Sequence, residues 1–516
     1  MKEKIKNVIL IILIIIFCIS LSPITMQNDT YYTIAIGKHI MSNGIDMQDP
    51  FSWHDSLPYT YPHWAYDVAT YAVYSAGQVI NGEIGGFAAI YIATCLLSVA
   101  LGITVFKVNK KICKNSIISF IVTLLVIYSL RGYIAARAQL VTFILFALEI
   151  YFIESFLEQP KKRYVLGLIA IPILIANLHL AVWWFYFVLY LPYIAEYILA
   201  KITQNKEGTI LNKIQITENK NVKYLILIMI ICLFTGLITP LGFTPYTYLI
   251  KTMIGETTHN INEHLPMTVI NHTEALIGIL AFLIILICTK TKIKLRDAFM
   301  LGGLILLMFY SRRQQSLFFL VAGIILNKLL LETLQNYKED GIKILEKILM
   351  SKIPIALISL LVVVFSVYFI TEKDGSSYVS QSNYPVAASE WILENLNLNE
   401  IRLFNEYNYG SYLLYRGIPV FIDSRADLYA PEFNTQTGKS EDGKDIFMDF
   451  IDASNLNVFY EDIFEKYDIT HVILYKKSKI NLMICNTNDG RYDCLYEDKY
   501  FTLYEIKEKS INIEMP

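Results

Sequence analysis

The sequence predicts a mainly α-helical, polytopic membrane protein with a small α/β domain at its C-terminal end. The 516 residues are 54% hydrophobic and only 17% charged, with a mean hydropathy of +0.43, which is more apolar residue than a soluble domain can bury. The apolar residues form long blocks separated by short polar loops, as in helices that cross lipid. After residue 371 the hydrophobicity falls, and short helical and alternating runs take over.

The apolar blocks are long enough, or nearly so, for helices to cross a bilayer core of about 30 Å, and they predict about eleven crossings. The blocks lie near residues 8–25, 85–106, 116–131, 138–156, 164–178, 180–200, 224–241, 273–289, 297–311, 315–333 and 353–371. The first block has the basic start of a signal peptide. No small-x-small cleavage site follows it, so it is predicted to remain as the first membrane helix.

Lysine and arginine positions predict the orientation. Basic clusters fall before the first block and after the second, fourth, sixth, eighth and tenth blocks, so alternating crossings place them all on one side, the cytoplasmic side. The first loop on the other side, 26–84, carries one lysine, no arginine and several acids. Within this loop, Asp29–Ser42 and Asp67–Ile80 have helical spacing and are predicted to lie along the membrane surface, with Gly44 ending the first.

Two domains follow from this pattern. Residues 1–371 form a transmembrane bundle that includes the long first outer loop 26–84, and residues 376–516 form an extracytoplasmic α/β domain, because an odd number of crossings separates the two termini. Within the second domain, helices are predicted at Ala387–Leu396, Gly410–Arg416 and Ile446–Ala453, and strands at Ile401–Phe404, Val420–Ile422, His471–Tyr475 and Phe501–Glu505. Cys485 and Cys494 could form a disulfide there if this part is exported.

The composition disfavours several classes of function. A net charge of -2 without a large basic patch predicts no nucleic-acid partner. The chain contains no CxxC pair, HExxH motif or Walker-type glycine-rich loop. The outer loops present acids, histidines and arginines beside a membrane. That combination suits a reaction on a lipid-linked phosphate, in which arginines hold the phosphate and a carboxylate activates the nucleophile.

Several segments resemble, in order, those of bacterial GT-C-type polytopic membrane glycosyltransferase-like proteins. They are Asp29–Ile40, Gly44–Trp53, His63–Asp67, Arg137–Phe143, Ala176–His179, Thr239–Gly242, Asn262–Pro266, Ser311–Arg313, Phe404–Leu414 and Phe421–Tyr429. Asp67 stands where that family usually has Glu, Ala138 where it has Pro, and His264 where it has Trp. The resemblance implies a helical bundle with an outer catalytic cavity. It also implies transfer of a sugar from a polyprenyl-phosphate donor to an extracytoplasmic glycan, lipid or protein acceptor.

Position in this resemblance selects the candidate catalytic and phosphate-binding residues. Asp29 is the candidate general base, and its alternative role is to cap the following helix. Asp67 is a candidate second acid or metal ligand, and its alternative is a solvated charge on an amphipathic helix. Arg137, Arg312 and Arg313 lie at outer helix ends, against the positive-inside bias, where a lipid phosphate would explain them. Their alternative is snorkelling to headgroups or pairing with a loop acid.

Three further residues complete the candidate set. His179 lies at an outer turn, and Glu263 and His264 lie in an outer loop, where they could contact substrate phosphate or have a structural role. The cofactor stays unknown, with a divalent metal ion as the candidate. In the C-terminal domain, the charged turn that contains Asp423 and Arg425 is predicted to be a salt-bridged structural turn, with glycan binding as the alternative.

Two kinds of function compete. The first is a glycosyltransferase, with a polysaccharide polymerase or ligase as a close variant that uses the same kind of donor. The second is a non-enzymatic membrane protein, either a transporter or a scaffold. A transporter should show charged residues at mid-membrane depth or broken helices. The sequence offers few such residues, Glu149 and Glu154 being predicted towards the cytoplasmic end of their block, and the enzyme is favoured.

Overall fold

The computed structural model describes residues 2–203, 207–210, 213–255, 257–336, 352–435, 443–487 and 490–507. The chain divides into two compact units. Unit 1 consists of residues 1–24, 89–249 and 261–375, and unit 2 consists of residues 25–88, 250–260 and 376–516. The loop 26–84, which was predicted as part of the bundle, lies in unit 2 together with the C-terminal segment.

Each predicted apolar block contains helix in the structure. In chain order, the helices up to residue 371 are α1 (Lys2–Leu21), α2 (Asn28–Asn43), α3 (Trp64–Cys113), α4 (Ser116–Ser129), α5 (Ala138–Glu158), α6 (Lys162–Leu178), α7 (Trp183–Val188), α8 (Leu191–Ile202), α9 (Val222–Leu233), α10 (Thr244–Ile254), α11 (Thr257–Asn260), α12 (Thr273–Cys288), α13 (Leu295–Tyr310), α14 (Gln315–Asn336) and α15 (Lys352–Thr371).

Within the described residues, five helices are long and apolar enough to cross a membrane. They are Lys4–Leu21, Trp64–Cys113, Ala138–Glu158, Leu180–Ile202 and Arg312–Asn336. Shorter apolar helices occupy Ser116–Ser129, Val222–Leu237, Thr273–Cys288 and Ala356–Thr371. The chain is therefore a multi-pass membrane protein, as predicted, while the number and direction of the crossings stay predictions.

Helix α3 is two helices joined at a kink. Asn81 and Gly82 have non-helical backbone angles, and Gly82 has a φ of +54°, which favours glycine. The kink separates the predicted helix Asp67–Ile80 from the predicted membrane block 85–106, so both predictions of helix are confirmed.

A buried ion cluster fixes three helices of unit 1. Glu154 on α5 accepts hydrogen bonds from Arg296 of α13 at 3.0 Å and from Lys328 of α14 at 2.8 Å. Lys328 also donates to Asp297 at 2.8 Å. Two acids and two bases thus compensate one another, which is what charges excluded from water require.

Short strands in unit 1 were not predicted. β1 (Glu207–Ile210), β2 (Ile214–Thr217) and β3 (Ile293–Lys294) form a sheet in that order, with β1 and β2 antiparallel and β2 and β3 parallel. These strands lie in lysine-rich loops, from which only the orientation of the crossings was predicted.

The C-terminal part of unit 2 is the predicted α/β domain. Its elements are α16 (Val386–Asn395), β4 (Leu403–Phe404), α17 (Tyr407–Tyr415), α18 (Pro431–Asn434), α19 (Ile446–Asn455), α20 (Tyr460–Lys466), β5 (His471–Tyr475), α21 (Lys479–Thr487), β6 (Tyr492–Glu497) and β7 (Phe501–Ile506). The sheet order is β4-β5-β7-β6, with β4 and β5 parallel and the other pairs antiparallel. Four of these elements were not predicted from the sequence, namely β6, α18, α20 and α21.

The predicted strand Val420–Ile422 is wrong. Val420 forms only an isolated parallel bridge, to Ser52. A side chain takes the place of a neighbouring strand, because the Asn405 amide accepts from the Phe421 N–H at 2.9 Å and donates to the Ile422 carbonyl at 2.7 Å. The suggested pairing of Cys485 with Cys494 is not formed, and both are free thiols.

Helix α2 packs closely against the first half of α3. It ends at Gly44, as predicted, with a φ of +82° and a hydrogen bond of 2.9 Å from the Gly44 N–H to the Ile40 carbonyl. At Gly37, a Cβ atom would lie 2.1 Å from the Asp67 carbonyl oxygen. Only glycine allows this approach of the two helices.

Replacement of Gly37 should therefore destabilise unit 2. We expect Gly37→Ala to lower the free energy of unfolding by about 1–3 kcal/mol or more, because backbone must move to admit the methyl group. Thermal unfolding of the purified full chain in detergent measures the effect. The matched control is Gly303→Ala in α13, where a Cβ meets no atom within 4 Å. Equal behaviour of the two variants would contradict the proposed packing constraint.

The predicted orientation has a separate test. A reporter that is active only outside the cytoplasm, fused after Tyr378, should be active, because an odd number of crossings precedes it. The same reporter fused after Lys114, next to a basic cluster, is the control and should be inactive. Activity of a cytoplasm-only reporter at Tyr378 would contradict the orientation.

Candidate functional site

The candidate residues fall into two groups, one in each unit. Unit 2 contains the two aspartates, Asp29 and Asp67. Unit 1 contains the candidates for substrate and phosphate binding, which are Arg137, His179, Glu263, His264, Arg312 and Arg313.

In unit 1, backbone hydrogen bonds hold the two neighbouring arginines against the loop that contains Glu263 and Leu265. After α13 ends, the Arg312 N–H donates to the Leu265 carbonyl at 3.0 Å, and the Arg313 N–H donates to the Glu263 carbonyl at 2.9 Å. Residues 312–314 form a single 3₁₀ turn before α14 begins. The main chain therefore fixes where both arginines lie, although their side chains are long and flexible.

Acids do not neutralise this arginine pair. Glu263 pairs with Arg137, at 3.3 Å. Among the described residues, neither Arg312 nor Arg313 forms an ion pair, and the Arg312 Nε atom is buried without a hydrogen-bond partner. A partly buried guanidinium without a counter-ion is costly, and an anionic ligand would supply the missing partner.

His264 serves as a neutral neighbour of Arg313. The guanidinium lies 3.3 Å from the ring Nε2 of His264. Burial, and then the charge of Arg313, lower the pKa of His264 to about 4, so the ring is neutral at neutral pH and can accept this hydrogen bond. The structure joins five residues that the sequence pointed to separately. This arginine cluster consists of Arg137, Glu263, His264, Arg312 and Arg313.

His179 has a different environment. It ends α6, is 3% exposed, and its Nδ1 shares a hydrogen bond of 2.7 Å with the Thr142 hydroxyl on α5. This contact ties two helices together, as the structural interpretation of this histidine predicts.

Two polar pairs beside the arginine cluster were not singled out from the sequence. Tyr133 donates to Gln315 at 3.1 Å, and Gln139 donates to Ser316 at 3.4 Å. The first pair joins the 3₁₀ turn before α5 to the start of α14, and the second joins the start of α5 to the start of α14. Gln139 lies within the segment Arg137–Phe143 that carried the family resemblance, so this resemblance was enough to make Gln139 a candidate residue.

In unit 2, Asp29 lies in the first turn of α2. The N-cap position is occupied by Gln27 and not by Asp29, which lies two residues further into the helix. The start of the helix is instead held by the Asn28 amide, which donates to the Tyr407 carbonyl at 3.1 Å. The Asp29 side chain is half-buried.

Asp67 is fully buried, with 0% exposure, so its interpretation as a solvated charge is wrong. The Thr33 hydroxyl approaches the carboxyl, but no described side chain is in hydrogen-bonding geometry with either oxygen. An ionised carboxylate without partners is costly in such surroundings, which favours the neutral acid. Between the two aspartates, Asp29 is therefore the better candidate for a base.

A buried ion network joins the first loop to the C-terminal segment within unit 2. Arg425 donates to Asp49 at 2.7 Å and to both oxygens of Asp423, at 2.9 and 2.7 Å. Tyr429 also donates to Asp423, at 2.5 Å, and the guanidinium lies over the ring of Tyr59 at 4.9 Å. All of these hydrogen bonds satisfy groups that water cannot reach. The predicted salt bridge within the turn is confirmed for Asp423 and Arg425.

Further contacts extend this junction. The Trp53 indole donates to the Leu403 carbonyl at 3.0 Å, and the His54 ring donates to the Phe421 carbonyl at 2.8 Å. Burial lowers the pKa of His54 to about 4, so the ring is neutral at neutral pH. The loop around residues 49–54 is thus bonded to the C-terminal segment through both side chains and backbone.

The candidate divalent metal has no evident set of ligands in the parts of the chain that the structure describes. No group of three or more His, Cys, Asp or Glu side chains there is placed to hold an ion. The residues of the arginine cluster suit an anion better than a cation.

No family model and no curated protein matches the sequence. Solved structures of the Archaeoglobus fulgidus oligosaccharyltransferase do match the fold. The complex of this enzyme, AglB, with an inhibitory peptide and a dolichol-phosphate has a TM-score of 0.58 at 11% identity, over 99% of this chain and 75% of that chain. The form tethered to an acceptor peptide with the NVT sequon has a TM-score of 0.56 at 10% identity, with the same coverage. The complex with Zn and sulfate has a TM-score of 0.54 at 11% identity, over 96% of this chain and 73% of that chain. The predicted fold class, a GT-C-like helical membrane bundle with a C-terminal α/β domain, is confirmed.

The ion network predicts a pH dependence of stability. Burial alone would raise the pKa of Asp49, but the charge of Arg425 and the hydrogen bonds from Ser52 lower it below its ordinary value. A lowered pKa in the folded state stabilises the protein above the unfolded pKa of about 4, and this contribution is lost as the pH falls through the folded value. We expect unit 2 to unfold more easily as the pH falls below about 4.

Arg425→Leu should cost about 3–5 kcal/mol at neutral pH, because two buried carboxylates lose their partner. The variant should become more stable on mild acidification, opposite to the unmodified chain, since protonation then relieves the unpaired charges. Thermal unfolding against pH measures both. The control is Lys507→Met, which breaks the exposed pair with Asp493 and should cost less than about 1 kcal/mol. Equal costs for the two variants would contradict the role of Arg425.

Proposed function

We propose that this chain is a membrane glycosyltransferase that transfers a sugar or glycan from a polyprenyl-phosphate-linked donor to an extracytoplasmic acceptor. The observation that carries the proposal is the uncompensated arginine pair, Arg312 and Arg313, on a fold shared with oligosaccharyltransferases over nearly the whole chain. One of those related structures holds a dolichol-phosphate and another an acceptor peptide.

The arginine cluster is proposed to bind the donor phosphate. A guanidinium offers paired donors that match phosphate oxygens, and its charge persists at any physiological pH. Arg312 has the stronger case, because its buried Nε lacks a partner among the described residues. Arg137 is partly neutralised by Glu263 and would contribute less.

Asp29 is proposed as the general base. It would take the proton of the acceptor while the acceptor oxygen or nitrogen attacks the anomeric carbon. The bond from that carbon to the phosphate oxygen breaks, and the lipid phosphate leaves with the electron pair. A single displacement of this kind inverts the anomeric centre. A polysaccharide polymerase or ligase would use the same step with a glycan as acceptor.

The assignment predicts two different losses. Asp29→Asn should lower the rate of transfer by about 10²-fold or more, because a general base contributes that much. Arg312→Ala should weaken donor binding and raise the KM for the lipid phosphate. Transfer of a labelled sugar from polyprenyl-phosphate donors in membranes, together with the glycan profile of the host, measures both effects.

A matched control distinguishes these losses from general damage. Arg131→Ala removes another arginine of unit 1, one already paired with Glu274 at 2.6 Å, and should leave transfer unchanged. If neither Asp29→Asn nor Arg312→Ala alters glycan assembly, the proposed roles are wrong.

A further inference from the structure

Unit 2 contains an open cleft of about 570 Å³ that the proposed reaction does not use. The second half of α2, the first part of α3 and the turn after α17 form its walls. Its volume lies in the range of about 300–1,000 Å³ that is usual for ligand sites. All of its lining residues belong to unit 2.

Tyrosines form one wall of the cleft and are held rigidly. The Tyr74 and Tyr415 hydroxyls are 2.6 Å apart, and Tyr415 donates to Glu83 at 2.9 Å. Gly82, at the kink of α3, turns the chain just before Glu83. Tyr71 adds a further half-buried ring to the lining. Three tyrosines thus line the cleft, and hydrogen bonds hold two of them, Tyr74 and Tyr415, in place.

Polar groups of both kinds surround this aromatic surface. Lys38 and Gln78 line the cleft and are exposed, and Lys38 forms no ion pair among the described residues. Glu83 is exposed and offers its second carboxylate oxygen as an acceptor. His39 is already oriented, since its Nε2 lies 2.9 Å from Asp46. A ligand in the cleft would therefore meet both hydrogen-bond donors and hydrogen-bond acceptors beside the tyrosine side chains.

We propose that this cleft binds a saccharide, and that the acceptor is therefore a glycan; the second step rests on the proposed function. Sugars combine flat C–H faces, which pack on aromatic rings, with hydroxyls that both donate and accept hydrogen bonds. One common mode of peptide binding adds the peptide to the edge of a sheet. The cleft lining consists of helices and turns without such an edge, and it mixes charged and amide side chains with apolar ones.

The cleft lies along the same helix as the proposed base. Asp29 is in the first turn of α2, and His39 in the cleft is ten residues further on, about 15 Å at 1.5 Å per residue. A glycan that fills the cleft and also reaches the proposed base must span this distance.

The test is binding of the purified full chain, in detergent, to a glycan array that spans neutral, acidic and amino sugars. We expect binding to a defined subset of the array. For a saccharide from that subset, calorimetry should show at least a tenfold higher Kd for Tyr71→Ala and for Lys38→Ala. The control Tyr224→Ala, an exposed tyrosine of α9 in unit 1, should leave the Kd unchanged. Thermal unfolding of each variant confirms that it is folded.

Absence of binding across the array would overturn the proposal. So would binding that both cleft variants retain, or a peptide ligand that the same two variants affect equally. Arg312→Ala separates this proposal from the proposed function, because it should raise the KM for the lipid phosphate donor and leave saccharide binding intact. Binding without any transfer by the unmodified chain would refute the enzyme alone, and transfer without saccharide binding would refute the cleft alone.

Discussion

The burial of Arg425 between Asp49 and Asp423 is the interaction on which unit 2 depends. It joins two segments that are 376 residues apart in the chain. A guanidinium excluded from water is tolerated only when each of its charged neighbours is well placed, and here hydrogen bonds to two carboxylates meet that condition. The loop that carries Asp49 leads from α2 to α3. Arg425 therefore anchors the connection between the helix that carries Asp29 and the helix that carries Asp67.

Much of the fold was predictable because its causes are local. Long apolar runs predicted the helices, Gly44 predicted the end of α2, and a fall in hydrophobicity predicted the α/β domain. The errors have non-local causes. Val420–Ile422 has the composition of a strand, but the Asn405 side chain takes the Phe421 N–H and the Ile422 carbonyl, and only Val420 pairs with another backbone segment, residues 51–53. No local pattern shows that residues 49–54 would bond to a segment near the C-terminus. The sequence therefore did not predict that the first loop and the C-terminal segment form one unit.

The candidate site was predictable in part for the same reason. On the predicted orientation, these arginines lie at outer helix ends, against the positive-inside bias, and this anomaly is visible in the sequence. Which of them has an acid for a partner depends on the folded loop. Glu263 pairs with Arg137, while Arg312 and Arg313 are left with a neutral histidine. In the same way, the spacing of α3 placed Asp67 on a helix, but only the close approach of Gly37 accounts for its complete burial.

The long sequence separation within the Arg425 network affects how the protein is made. Asp49 is synthesised 376 residues before its partner, which takes roughly 20–75 s at translation rates of about 5–20 residues per second. During that interval the carboxylate of Asp49 lacks its arginine partner, and the C-terminal segment does not yet cover the aromatic rings of the first loop. Unit 2 can close only after the membrane helices between its two parts have been made. Its completion therefore reports that the whole chain has been synthesised, and a prematurely ended chain would leave this loop open to proteases.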